Sequence, residues 1–127
     1  MSDGGAHRGV IADAGMPTFI LTHWGRDRTK GARMPLPFLV RKLARIPRRL
    51  WSGRPRPAGT GKLADVNVID FQRLALKRPE AVFDLPAGGR RLVQRVRGYE
   101  AIIKRGQCTF RGDEATGALP GRLVRGG

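Results

Sequence analysis

Cysteine and histidine are almost missing from this chain: Cys108 is the single cysteine, and His7 and His23 are the only histidines. One cysteine excludes an internal disulfide framework and a zinc cluster of the CxxC type. Two histidines 16 positions apart, with no H-x-H or H-E-x-x-H, exclude a three-ligand zinc site of ordinary type built from this chain alone. Aromatic residues are few as well, with five Phe, two Trp and one Tyr. Acidic residues are scarce: 10 Asp and Glu stand against 25 Lys and Arg, for a formal net charge of +15. Apolar runs stay far below the ~20 residues of a membrane span, and no basic stretch followed by an apolar one opens the chain. These absences, with a lone unpaired thiol, place the chain in the cytoplasm.

What is present suits one small domain. A chain of 127 residues that folds alone buries roughly two-thirds of the surface its unfolded form exposes. Hydrophobic residues make up 40%, too many for disorder, and 18 Gly with 9 Pro make the chain rich in loops. A field of this sign attracts polyanions and acidic surfaces. The basic residues are mostly Arg, however, and beside abundant Ala, Gly and Pro this also fits a GC-rich coding sequence, so charge alone names no function.

The patterning changes along the chain. Residues 8 to 33 contain a short apolar run, "MPTFILTHWGRDR", and read as a packed, loop-like segment with one helical turn. In "PLPFLVRKLARIPRRLW", Leu39, Leu43, Ile46 and Leu50 recur at helical spacing with Arg41, Lys42, Arg45, Arg48 and Arg49 mostly between them. That predicts a basic amphipathic helix, kinked or ended by Pro47. "SGRPRPAGTG" is a linker. Beyond it the pattern becomes β: "DVNVIDF", "AVFDLPAGG" and "RRLVQRVRGY" read as strands, and "AIIKRGQCTFRG" as a hairpin turning at Arg105-Gly106. The end, "GDEATGALPGRLVRGG", reads as turn-rich and extended.

Few residues carry chemistry. Asp3 stands between Ser2 and the Gly4-Gly5 pair, with His7 four residues on. Small residues around a lone carboxylate suit a strand end where the backbone bends tightly to aim the acid. By itself D-x-x-x-H fits a general acid/base pair, two metal ligands, or a turn aspartate beside a solvated histidine. His23 next to Trp24 reads as structural, and Cys108, mid-strand with no histidine nearby, as a buried inert thiol. "GTGK" lacks the phosphate-loop frame. Seven of residues 41–56 are Arg or Lys and none is acidic, so that helix suits nucleic acid or anionic lipid, or a solvated basic face.

Read together and in order, "SDGGAHRGVIADAGMPTFILTHWGRDR", "LADVNVIDF", "VFDLPAGGRRLVQRVRGYEAIIKRGQCTF" and "GDEATGALPGRLVRG" resemble the C-terminal part of the N-acyl-D-amino-acid deacylases, the D-aminoacylase branch of the amidohydrolase superfamily. The resemblance covers nearly the whole chain and is broken mainly where "RIPRRLWSGRPRPAGTG" replaces the family's acid-containing approach to the "ADVNVIDF" strand. It implies a metal-dependent (β/α)8 barrel joined to a small β-sandwich. In such enzymes the "SDGG" aspartate ends the last barrel strand at the active-site mouth. Carried over, that residue is Asp3, a general base taking a proton from zinc-bound water and handing it to the leaving nitrogen. Ser2, Gly4 and Gly5 then shape its turn, and His7 lies near the substrate pocket.

The resemblance therefore implies an α+β fragment: residues 1–52 a barrel remnant, 53–61 a linker and 62–127 part of the C-terminal β-sandwich. The family's H-x-H pair, later histidines and bridging cysteine are not in this chain. The full-length family uses zinc; this fragment is expected to hold no metal and to be inactive alone. Expected partners are a small N-acyl-D-amino acid in the parent enzyme and a separately encoded N-terminal barrel portion, with neither nucleic acid nor membrane. The alternative is a basic module for nucleic acid or an anionic surface, using the 41–56 helix.

Overall fold

In a computed structural model, residues 13–45 and 65–123 are described. They are α+β, with two helical runs and antiparallel strands, and divide into two compact units. One combines 13–45 with 75–96, the other 65–74 with 97–123.

In the first unit, the run predicted as loop is helical. A 3-10 turn over Asp13–Gly15 leads into α1, Met16–Phe19, which widens into a π-helix over Ile20–Asp27. Two features account for it. Pro17 sits in the first turn, where a missing N–H is harmless. The Thr22 hydroxyl donates to the Thr18 carbonyl at 3.0 Å, so a β-branched polar residue is satisfied inside the helix. Thr18, Leu21 and Thr22 are buried. The run closes with Arg28 N–H donating to His23 C=O at 2.8 Å, the i to i−5 spacing of a π turn.

The second helix is where the spacing of leucines placed it. Pro35 is its N-cap, α2 spans Leu36–Val40, and a π turn continues over Arg41–Arg45. Leu39 is 1% exposed and Leu43 half-buried, as the helical repeat requires. Ile46 and Leu50, the rest of that predicted stripe, lie outside the described residues, as do Pro47, where a kink or end was expected, and the 53–61 linker. Met34 N–H donates to Trp24 C=O at 2.8 Å and ties the two helical runs together.

The predicted strands are found, except that "RRLVQRVRGY", read as one strand, is divided among three, and two short strands at 75–76 and 114–115 are added. β1 is Asp65–Ile69, β2 Ala75–Leu76, β3 Glu80–Leu85, β4 Gly89–Val93, β5 Val96–Arg97, β6 Tyr99–Lys104, β7 Gln107–Arg111 and β8 Glu114–Ala115. β3 and β4 form a hairpin closed through Pro86–Gly88, with Ala87 and Gly88 at positive φ. In the second unit β1, β6, β7 and β8 form one antiparallel sheet in that order. The β6–β7 turn is at Arg105-Gly106, with φ of 53° and 80°, both positive as a two-residue hairpin turn of the I′ kind demands. Gly112-Asp113 repeats that signature before β8. Leu74 is fully buried in this unit.

No helix among the described residues is long and apolar enough to cross a membrane.

Candidate functional site

Asp3 and His7, the acid and imidazole singled out from the sequence, lie outside the described residues, together with Ser2, Gly4 and Gly5. The remaining candidates are placed. His23 sits in the π-helical run, its ring parallel to Phe19 at 4.9 Å and edge-on to Trp24 at 5.3 Å. The Arg28 guanidinium covers the Trp24 ring at 4.4 Å, within cation–π range. His23 thus packs among aromatic side chains, as expected for a structural histidine, while remaining half-buried.

Cys108 is mid-strand in β7, as expected, but it is half-buried rather than enclosed. Its thiol donates to the Phe110 carbonyl at 3.0 Å.

Three carboxylates are held below the ordinary range. The Arg26 side chain bonds Asp27 at 2.6 Å and lowers it, Lys104 with the Arg105 N–H lowers Asp65, and Arg91 lowers Asp84. A lowered carboxylate stays ionised and suits an ion pair, whereas a general acid needs the opposite shift. Lys104–Asp65 joins β6 to β1 and Arg91–Asp84 joins β4 to β3, while Arg26–Asp27 links neighbours at the end of the first helical run. Among the described residues no group of three His, Cys, Asp or Glu could hold a metal ion.

Two features of the surface stand out. An open cleft of about 390 Å³ lies between the Arg105-Gly106-Gln107 turn and residues 119–122, with Arg105 and Arg122 on its walls. The turn was legible in "KRGQ", but its neighbour in space, 119–122, was not. On the second helix, Phe38 and Val40 are each 49% exposed. Both lie about 100° from Leu39, off the leucine stripe that predicted the helix, so the same period that turns Leu39 inward leaves them at its flanks.

No family model, no curated protein and no solved structure matches this chain.

Proposed function

We propose that this chain is the C-terminal part of a metal-dependent amidohydrolase that cleaves N-acyl-D-amino acids to a D-amino acid and a carboxylate. Asp3 is its general base and His7 lies beside the substrate. The observation that carries the reading is the collinear run from "SDGGAHRGVIADAG" through "LADVNVIDF" to "GDEATGALPGRLVRG", with the aspartate held between small residues. Antiparallel strands over 65–69, 80–85, 89–93, 99–104 and 107–111 are elements of the kind a small sandwich is built from, which supports it.

This chain does not fit zinc by itself. Two histidines and one cysteine in the whole sequence fall short of a ligand set, and the described residues assemble none. In this reading the ligands belong to the family's barrel portion, outside these 127 residues. What Asp3 contributes is a proton path: its carboxylate accepts the proton of the attacking water as the C–O bond forms, then donates it to the nitrogen as the C–N bond breaks.

The test mixes the purified chain with a family barrel portion lacking this segment and follows hydrolysis of N-acetyl-D-amino acids. The chain alone is expected to be inactive, and the mixture active. Asp3→Asn in the mixture is expected to lose roughly a hundredfold or more. A mixture indifferent to Asp3→Asn, or a lone chain turning over substrate with stoichiometric zinc, overturns the proposal.

A further inference from the structure

We infer that the helical segment around Phe38 docks on the surface of an anionic lipid bilayer. The geometry starts from Leu39, which is 1% exposed and faces inward. At about 100° per residue, Phe38 and Val40 stand on the two flanks of the opposite side, with Pro37, Arg41, Ala44 and Arg45 at register positions between them. Phe38, Val40, Pro37, Arg41 and Ala44 are exposed. The outer side of the helix thus joins apolar residues to two arginine positions, and the Lys42 ammonium lies 5.9 Å from the centre of the Phe38 ring.

Charge selects the occupant. Between Asp27 and Asp65 the sequence has no Asp or Glu but eleven Lys and Arg. A second copy of the chain brings the same excess of positive charge, part of a net +15, and is repelled. Nucleic acid answers the cations but offers no apolar phase for Phe38 and Val40. An anionic bilayer answers both: headgroups meet Arg41 and Lys42 while the two side chains enter the acyl boundary. The sequence led to no expected membrane partner because no apolar run is long enough to span a bilayer, a criterion that does not bear on docking at its surface. The docking requires no hydrolytic activity, so it stands or falls apart from the deacylase reading.

The experiment is flotation of the full chain with phosphatidylcholine vesicles, neutral or carrying about 30% phosphatidylserine, at about 0.1 and 0.5 M salt. Binding to the anionic vesicles is expected to exceed that to neutral ones by at least about tenfold and to fall with salt. Lys42→Ala is expected to weaken it about fivefold. Phe38→Ser with Val40→Ser is expected to weaken it about tenfold or more. Phe83→Ser, at an apolar residue 69% exposed on the β3–β4 hairpin beside Asp84, is expected to leave it unchanged. Absence of vesicle binding, binding that ignores lipid charge, equal loss in the Phe83 variant, or binding unaltered in the Phe38/Val40 variant overturns the proposal. So does sedimentation showing that these two side chains join two copies of the chain.

Discussion

At Gly98 a hydrogen atom is all the space allows. Its φ is +95°, and a Cβ there would lie 2.8 Å from both the backbone nitrogen and the Cα of Leu74, which is itself fully buried. Main chain cannot swing aside as a side-chain tip can. Gly98→Ala is therefore expected to destabilise the protein by about 2 kcal/mol or more, read as a lower denaturant midpoint with an unchanged slope. Asp65 works through charge. Lys104 donates to it at 2.6 Å and the Arg105 N–H at 2.9 Å, and together they hold its carboxyl below the usual range. A depressed folded pKa contributes stability that is present above the unfolded value, about 3.9, and is lost as pH falls through the folded one. Because Asp65 is half exposed, the pair is worth at most about 1 kcal/mol. Asp65→Asn should remove that increment at pH 7, and wild type and variant should converge in acid unfolding once the pH has fallen through the lowered folded pKa of Asp65.

Among the elements, the β6–β7 hairpin carries a removable strain. Arg105 is left-handed, φ 53°, where an ordinary L side chain is disfavoured, and its backbone N–H bonds Asp65 whatever side chain it bears. Arg105→Asn keeps that bond and supplies the residue that precedes Gly most favourably in such turns. It is expected to raise stability by about 0.5–1 kcal/mol, seen as a higher thermal midpoint. The helical runs show a different balance. "MPTFILTHWGRD" has no clear period and was expected to be a loop with one turn. It is helical because Thr18, Leu21 and Thr22 find cover and the Thr22 hydroxyl finds a carbonyl four residues back. Hydrophobic period alone carries no information about such cover. In "LPFLVRKL" the period was clear and the helix is there.

For the molecule as a whole, charge dominates. Twenty-five Lys and Arg against ten Asp and Glu leave the folded state repelling itself, and the described ion pairs are all surface pairs that relieve little of it. Raising salt from about 0.05 to 0.5 M is expected to raise the melting temperature by a few degrees, since screening weakens net repulsion more than it weakens a few exposed pairs. A melting temperature that falls with salt would show that the pairs outweigh the repulsion. The same field draws the chain to cation exchangers and polyanions without specificity, so binding tests on it need a salt series.

Local chemistry was legible in the residues themselves. Alternating "DVNVI", the Arg-Gly turn in "IIKRGQCTF" and the leucine spacing of "LPFLVRKL" each specify an element through interactions within a few residues, and each element is found there. The second turn at Gly112-Asp113 and the short β8 were within reach of the same reasoning, since Gly-Asp is turn chemistry, but two residues of strand are too few for alternation to show. Tertiary structure alone decided what touches what across distance. It set Gly98 against Leu74, brought residues 119–122 beside the Arg105 turn, covered Thr18 and Leu21, and left Phe38 and Val40 bare. The physical reason is that burial is a property of two surfaces meeting, and a one-dimensional pattern describes only one of them.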